Sequence, residues 1–533
     1  MKNSWLGAAL AALALLCGRP AAAQVSMVTV AGGRLEGVSA GGVVSFKGIP
    51  FAAPPVGALR WRAPQPVRPW TGIRKADRFG PSCMQDPGIV KVFGAPPGIS
   101  EDCLYLNVWT PAASAHERLP VMVWIYGGGF FGGMTSVPAY DGTQLARQGV
   151  VLVSVSYRLG AFGFLAAPEL SRENGGHSGN YGLLDIIAGL EWVKANIARF
   201  GGDPSRVTIF GESAGGEAVS MLAASPLAKG LFERGISESG GSLAPPQLGS
   251  ASGENVRLLA QAEVAGQRFL ARIGASDIAA ARALPADVIE KGLGSAARGG
   301  FGPVFDGHVL PGDEYQLYRE GRFNDTPVLV GTNADEGRAF AAAGMTPARF
   351  EAQIHAGFGQ DARAVLAAYP HATDAQAEEA ARDVARDSTF AWGTWAWALL
   401  QSEKGKSKAY LYYFDRHSPQ APLGPSHGAE IGYVFGNLGG PGGGPAGLRG
   451  PPGPEDIGLS QLIENYWVNF AKTGNPNGPG LPVWPAFTVS SEKAMFLDEH
   501  ASARPVPNMR QLRTLDGYFA LRRKESRGLG AEP

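Results

Sequence analysis

The sequence Thr208-Ile209-Phe210-Gly211-Glu212-Ser213-Ala214-Gly215-Gly216 carries the pattern Gly-x-Ser-x-Gly directly after a β-branched, apolar run. This pattern is typical of a nucleophile elbow, in which a strand turns sharply into a helix and presents one serine at the turn. We therefore predict that Ser213 is a nucleophile. Gly211 and Gly215 suit the turn because a β-carbon at either position would collide with it.

The segments around the elbow predict a sheet covered by helices. Continuous apolar runs at 121–125 and 150–156 precede the elbow, and residues 182–200 place apolar side chains at helical spacing. Similar apolar runs at 327–330 and 409–414 follow it. Apolar strands separated by helices indicate an α/β fold whose sheet is buried on both faces.

Other segments predict the periphery of the fold. Short strands are expected at 27–30 and 41–46, an irregular Pro-rich stretch at 46–57, and an alternating strand within 100–109. Residues 340–402 are Ala-rich and predict a helical insertion over one end of the sheet. Three tryptophans lie near its end, and we interpret them as packing residues, with the wall of an acyl pocket as the alternative: Trp392, Trp395 and Trp397.

The composition excludes several partners. The chain has 533 residues, with 47 Lys+Arg against 47 Asp+Glu, so no basic field favours nucleic acid and no acidic field attracts cations. Its 75 glycines and 40 prolines predict many turns and long loops. The Gly/Pro-rich stretch 436–454 is interpreted as a surface loop, since no strand and no Gly-Lys-Ser/Thr accompany it as in a phosphate cradle.

The N-terminus predicts a secretory signal peptide. Lys2 precedes an apolar run over residues 6–16, and an Ala-x-Ala end follows, so we place cleavage after Ala23. Attachment of lipid at Cys17 is the alternative, although Leu16 is bulky for a lipoprotein signal. No later stretch has 18 unbroken apolar residues, so we expect no stable membrane insertion. Residues 24–533 are expected to form one secreted or periplasmic catalytic domain.

The predicted export determines the expected oxidation state of the cysteines. Removal of the signal leaves Cys83 and Cys103, and two cysteines in an oxidising compartment are expected to pair. The bridge would close a loop of about 20 residues, which is worth roughly 3 kcal/mol in the chain-entropy model. Two buried free thiols are the alternative. Neither cysteine has metal-ligand or redox spacing, and no metal or other cofactor is expected.

A serine nucleophile needs a base, and few histidines are available. His427 lies in a loop of small residues just after the apolar run 409–414, where a base would be free of the core. His417 competes, but it lies in a polar turn and is expected to be exposed. We therefore predict His427 as the base.

The orienting acid is expected just past the strand at 327–330, because that edge of a parallel sheet presents the active site. Asp335 and Glu336 are adjacent there, and spacing alone does not choose between them. Either could instead cap a turn or a helix. Asp306, followed by glycine, is interpreted as a turn residue.

The oxyanion of a tetrahedral intermediate needs hydrogen-bond donors. Gly127, Gly128 and Gly129 follow the strand at 121–125 and are permissive enough to turn backbone amides inward. The amide of Ala214, directly after the nucleophile, would add a donor. A dinucleotide-binding loop is excluded, because the glycines are contiguous and no acidic residue closes a βαβ unit.

Seven motifs in order closely resemble the type-B carboxylesterase family, which includes para-nitrobenzyl-esterase-like enzymes and cholinesterases. The resemblance spans about residues 27–520. The matching segments are Phe46-Lys47-Gly48-Ile49-Pro50-Phe51-Ala52, Glu101-Asp102-Cys103-Leu104-Tyr105-Leu106-Asn107, Gly127-Gly128-Gly129-Phe130, Phe210-Gly211-Glu212-Ser213-Ala214-Gly215-Gly216, Asn333-Ala334-Asp335-Glu336-Gly337, His427-Gly428-Ala429-Glu430 and 467–478.

The resemblance implies a set of roles. The fold would be the α/β-hydrolase fold, and the acid would be Glu336, completing a triad with Ser213 and His427. Gly128, Gly129 and Ala214 would line the oxyanion hole, and Cys83 would be bridged to Cys103. The residues that look like the family's polar groups around the triad are Glu212, Ser239 and Glu430.

Two positions depart from the family. In cholinesterases a tryptophan in the disulfide loop stacks on the choline cation, and the matching position, ten residues before Cys103, is Phe93. Cation–π attraction is weaker to phenylalanine, so choline esters are not expected as substrates. Ile186 stands where the family commonly has glutamine, which we expect to alter helix packing near the elbow.

These observations predict a serine carboxylesterase that hydrolyses a small-molecule ester through an acyl-enzyme. A lipase or an amidase could use the same triad. A non-catalytic adhesion module is the alternative from another class, and the intact Ser213, Glu336 and His427 argue against it. The sequence names neither the physiological ester nor the oligomeric state.

Overall fold

The computed structural model describes residues 25–94, 97–249, 252, 256–294, 300–418, 421–439 and 451–529. The predicted signal peptide with Cys17, the side chain of Phe93 and most of the Gly/Pro-rich loop lie outside the described residues.

The strands are, in chain order, β1 (Met27–Val30), β2 (Gly33–Glu36), β3 (Val38–Ala40), β4 (Val43–Pro50), β5 (Ile73–Lys75), β6 (Tyr105–Thr110), β7 (Leu119–Ile125), β8 (Val151–Val155), β9 (Gly202–Glu212), β10 (Arg234–Glu238), β11 (Arg257–Leu258), β12 (Val304–Phe305), β13 (Val328–Asn333), β14 (Ala409–Phe414), β15 (Lys493–Leu497) and β16 (Ser502–Pro505).

The α-helices are α1 (Pro87–Phe93), α2 (Thr143–Arg147), α3 (Gly160–Phe164), α4 (Pro168–Glu173), α5 (Tyr181–Asn196), α6 (Ala214–Ala224), α7 (Leu259–Arg272), α8 (Ile278–Ala283), α9 (Ala286–Leu293), α10 (Glu314–Arg319), α11 (Pro347–Phe358), α12 (Ala362–Ala368), α13 (Asp374–Arg386), α14 (Trp392–Lys404), α15 (Ile431–Val434), α16 (Pro454–Thr473) and α17 (Met509–Leu529).

One large mixed sheet organises the molecule, with strands in the order β16-β15-β14-β13-β10-β9-β7-β8-β6-β4-β3. The seven strands from β15 to β8 run parallel, and the strands at both edges pair antiparallel. The central strands β7, β8 and β13 are buried along nearly their whole length. The predicted α/β class is therefore confirmed.

The prediction of an irregular stretch at 46–57 is wrong for its first residues. Residues Phe46 to Pro50 continue β4, which pairs with β6 across a register shift. A register shift of this kind absorbs the break that Gly48 and Pro50 would otherwise cause in a regular ladder.

Helices cover the sheet around the elbow. Helix α6 packs on β9 and β10, and α16 packs on β7 and β9. The region predicted to be helical from 340 to 402 contains α11 to α14, and the last of these packs against β13 and β14. The three tryptophans near its end are buried, which agrees with a packing role.

The register of the parallel strands brings their carboxyl ends to one edge. Ile125 of β7 lies opposite Gly211 of β9, and Glu212 lies opposite Glu238 of β10. Glu238 in turn lies opposite Gly331 of β13. The segments that follow β7, β9 and β13 at this edge carry residues for which the sequence predicts catalytic roles.

Candidate active site

The elbow has the strained backbone that the sequence predicts. Ser213 lies between β9 and α6 with φ 56° and ψ −127°, a conformation that few residues other than glycine adopt. A β-carbon at Gly215 would lie 2.0 Å from the carbonyl oxygen of Ile125, and one at Gly211 would lie 2.5 Å from the same atom. The amide of Ser213 donates to the carbonyl of Glu238 at 2.9 Å, which fixes the turn to the neighbouring strand.

The glycine loop after β7 lies directly against the elbow. A β-carbon at Gly127 would be 2.9 Å from Cβ of Ser213. The carbonyl of Gly128 accepts bonds from Phe131 and Gly132, and Gly128 and Gly129 both have positive φ, at 114° and 62°.

Backbone amides in this loop and at the start of α6 are available as hydrogen-bond donors. Among the described residues, none accepts a hydrogen bond from the amides of Gly128, Gly129 or Ala214. Three amides without a protein acceptor around a nucleophile are suited to an oxyanion.

His427 is held by a carboxylate. Its Nδ1 donates to Oε2 of Glu336 at 2.6 Å. Because an ionised carboxylate only accepts, this contact selects the tautomer in which Nε2 is the basic nitrogen. Nε2 lies 3.2 Å from Oε1 of Glu212, the residue before Ser213. The described hydrogen bonds do not include one from Ser213 to His427, a contact that commonly tightens only with substrate bound.

Glu336 is itself fixed by two donors. Its side chain is fully buried, and Oε1 accepts from the hydroxyl of Ser239 at 2.5 Å and from the amide of Asn333 at 2.8 Å. Its neighbour Asp335 instead faces Arg338 and Arg382. The structure thus places Glu336, and not Asp335, against the histidine.

Glu430 extends this cluster of polar groups. Its Oε2 accepts from Nδ2 of Asn333 at 2.5 Å, and its Oε1 lies 3.4 Å from the hydroxyl of Ser239. Glu238 is also buried, and its Oε1 accepts from the indole of Trp467 at 2.8 Å. Glu212 therefore lies against His427, Ser239 bonds to Glu336, and Glu430 connects to Glu336 through Ser239 and Asn333.

The carboxylates in this cluster influence each other's protonation. Burial raises the pKa of Glu212 to about 7 and that of Glu430 to about 8, and it holds the pKa of Glu238 well above its usual value. Burial alone would lower the pKa of His427, but the charges of Glu212 and Glu336 outweigh it and raise that pKa. The site therefore stabilises an imidazolium.

Aromatic side chains that the sequence did not single out enclose the histidine. Phe390 stacks on His427 with ring centroids 4.5 Å apart, and Phe340 meets it edge-on at 5.3 Å. Phe390 belongs to a single π-helical turn, Asp387–Ala391, between α13 and α14. A short aromatic pattern in the sequence does not indicate that a helix irregularity will direct one ring at the loop that carries His427.

Asn333 was also missed as a site residue, although it lies in one of the resembling motifs.

The two residues that the sequence analysis placed outside the site do lie outside it. His417 is exposed and contacts Asp415, and Asp306 accepts from the amides of His308 and Leu310 as a turn residue does.

The described part of the chain contains neither a metal-binding cluster nor a helix suited to a membrane. No group of three or more His, Cys, Asp or Glu side chains there is arranged to hold a metal ion. None of its helices is long and apolar enough to span a bilayer.

The sulfur atoms of Cys83 and Cys103 lie at a bonding distance of 2.05 Å.

Comparisons with known proteins agree with this geometry. A model of the carboxylesterase family matches residues 24–514. The fumonisin B1 esterase of Sphingopyxis macrogoltabida is 42% identical over 87% of this chain and 85% of its own. The para-nitrobenzyl esterase of Bacillus subtilis is 36% identical over 90% of this chain and 96% of its own.

Solved structures agree as well. A structure of PNB esterase superposes with a TM-score of 0.81 at 33% identity, and the match covers 92% of this chain and 99% of that one. The α/β-hydrolase fold implied by the sequence motifs is therefore confirmed.

Proposed function

Because the chain belongs to the carboxylesterase family and is a carboxylic ester hydrolase, we propose that it cleaves its substrate through an acyl-enzyme on Ser213. Ser213 Oγ attacks the ester carbonyl while Nε2 of His427 takes the hydroxyl proton. The tetrahedral intermediate then collapses, and His427 gives that proton to the departing alcohol. A water molecule activated by His427 hydrolyses the acyl-enzyme and releases the acid.

Glu336 orients the imidazole in this scheme and stabilises its positive charge. The amides of Gly128, Gly129 and Ala214 bind the oxyanion. Loss of one such donor typically lowers kcat by about 10²–10³-fold. The observation that carries the proposal is the position of His427 between Glu336, at 2.6 Å, and the residue that precedes Ser213.

Replacement of the nucleophile tests the proposal. We expect Ser213→Ala to lose hydrolysis of p-nitrophenyl acetate and butyrate by about 10⁴-fold or more, since the covalent route is removed. An organophosphate should add its mass to the wild-type protein and not to the variant. Ser205→Ala is the matched control, because Ser205 is exposed near the start of β9, where its hydroxyl donates to Asp203. Turnover by Ser213→Ala at the wild-type rate would contradict the mechanism.

Small-molecule carboxylic esters, aryl or alkyl, are the proposed substrate class. Two of the similar proteins are named for the esters they act on, fumonisin B1 and para-nitrobenzyl esters. A panel that varies the acyl and alcohol groups separately would identify the preference of this chain.

Export is proposed as well, with cleavage after Ala23 and a Cys83–Cys103 bridge in the mature protein. The intact mass of the secreted protein, measured with and without reduction before alkylation, tests both. A mass that retains residues 1–23, or two cysteines alkylated without reductant, would contradict the respective part.

A further inference from the structure

Gln85 connects the loop that carries the cysteines to the glycine loop of the active site. Its Oε1 accepts from the amide of Gly133 at 2.9 Å, and its Nε2 donates to the carbonyl of the same residue at 2.8 Å. Nε2 also contacts the carbonyl of Cys83 at 3.1 Å. The side chain is 2% exposed, so these bonds are shielded from competition with water.

Gly133 is packed against the start of the glycine loop. A β-carbon at Gly133 would lie 2.5 Å from the carbonyl oxygen of Gly127. The preceding residue, Gly132, donates to the carbonyl of Gly128, and its own carbonyl oxygen lies 2.3 Å from where a β-carbon of Gly128 would be. Displacement of Gly133 would therefore move the peptide that presents the amides of Gly128 and Gly129.

The loop needs such support because of its composition. Five of the seven residues from 127 to 133 are glycines, and glycine loses more conformational freedom on ordering than any other residue. Gln85, by contrast, is fixed on both sides, since Cys83 lies two residues before it and Asp86 caps α1 directly after it.

We propose that Gln85 is a positioning residue that holds the oxyanion loop in its productive geometry through its paired bonds to Gly133. The proposal rests on the oxyanion hole proposed above. A displacement of about 1 Å at a catalytic group can cost about 10²-fold in rate. Loss of the paired bonds should therefore lower kcat without an equal effect on ground-state binding.

The test compares Gln85→Met with Gln401→Met. Methionine has a similar size and no amide, and Gln401 is a fully buried glutamine on α14 that bonds to Asp325 and Ser407. Activity is expressed per active site titrated with an organophosphate, so that partly unfolded protein does not count. We expect kcat to fall about 10–100-fold in Gln85→Met, with KM within about twofold, and to stay within about twofold in Gln401→Met.

Two ketone inhibitors separate positioning from a general loss of structure. The Ser213 oxygen adds to the carbonyl carbon of a trifluoromethyl ketone while its proton passes to His427, so that an oxyanion lies in the hole, whereas the matching methyl ketone binds as an unreacted ketone. We expect Gln85→Met to raise the Ki of the trifluoromethyl ketone by the factor lost in kcat/KM. The Ki of the methyl ketone should stay unchanged.

The outcomes distinguish this inference from the proposed function. If the trifluoromethyl ketone binds wild-type protein no better than the methyl ketone, the proposed oxyanion hole fails, and the role of Gln85 fails with it. If wild-type protein discriminates but Gln85→Met keeps its kcat or weakens both ketones equally, only the role of Gln85 is overturned. Gln85→Asn, which retains the amide but shortens its reach, serves if Gln85→Met does not fold. Failure of both to give titratable protein would assign Gln85 to folding and overturn the inference.

Discussion

The two halves of the proposed active site differ in whether backbone or side chains form them. The half around Ser213 is formed by backbone, with Gly211 and Gly215 shaping the turn and glycine amides that have no acceptor among the described residues. The half around His427 is made of buried side chains, among them Glu336 and Glu430. Steric fit controls the first half, and charge and hydrogen bonding control the second.

We therefore expect the two halves to contribute differently to catalysis. Sterically determined backbone holds its dipoles in place before substrate arrives, so no reorganisation is needed during reaction. The side-chain half responds to proton concentration, because the pKa values of Glu212 and Glu430 are raised to about 7 and about 8. Mutations in the first half should therefore affect stability and kcat, and those in the second half should affect kcat and its pH dependence.

Glu336→Gln should have the largest effect on activity and tests the side-chain half. A glutamine can present an N–H to Nδ1 of His427, which favours the tautomer with a protonated Nε2 that cannot act as a base. We expect kcat/KM to fall about 10³–10⁴-fold, which corresponds to about 4–5.5 kcal/mol.

The adjacent carboxylate provides the control for that change. Asp335 is buried against Arg338 and Arg382 instead of the histidine, so Asp335→Asn should reduce stability while kcat per titrated site stays within about threefold of wild type. Equal losses of kcat in the two variants would contradict the assignment of the acid to Glu336.

Gly215→Ala should have the next largest effect and tests the backbone half. Its β-carbon would lie 2.0 Å from the carbonyl of Ile125, with no flexible group able to yield. We expect the free energy of unfolding to decrease by about 3 kcal/mol, as in an overpacked core. The measurement is urea denaturation followed by tryptophan fluorescence.

A second helical glycine controls for helix propensity. Gly458 lies in α16 with open space where a β-carbon would be, so Gly458→Ala should stabilise the protein by about 0.5–1 kcal/mol. If both alanine variants were equally stable, steric fit at the elbow would not be what requires glycine.

The backbone half is also the half that the sequence predicts best. Glycine spacing around Ser213 and the contiguous glycines after β7 reflect sterics, and sterics act over a few residues. The apolar run at 121–125 likewise predicts β7, because a strand buried on both faces needs only local apolar character.

The side-chain half could be predicted only in part. Distance along the chain does not show that Asn333 bonds to both Glu336 and Glu430, or that Phe390 stacks on His427 from 37 residues away in sequence. Spacing left Asp335 and Glu336 equivalent, and only the family resemblance and the fold separate them. Such contacts depend on how several strands and helices converge at one edge of the sheet, which no single segment encodes.

Glu212→Gln should have the smallest of these effects and would sharpen the comparison, because Glu212 belongs to the backbone turn but acts through its charge. Its carboxylate lies 3.2 Å from Nε2 of His427 and raises the pKa of that imidazole. Removal of the charge lowers the pKa of His427, so the acid limb of kcat/KM, which follows the free base, moves to lower pH.

The expected size of that shift follows from the protonation of Glu212 itself. Since the pKa of Glu212 is raised to about 7 and that of His427 to about 10, Glu212 is ionised where His427 titrates, and we expect a displacement of about 1 pH unit. Glu464→Gln is the control, because burial likewise raises the pKa of Glu464 to about 7 while Ser460, and not the histidine, is its partner. An acid limb that moves to higher pH, or moves equally in both variants, would mean that Glu212 does not set the charge of the base and that the two halves of the site act independently.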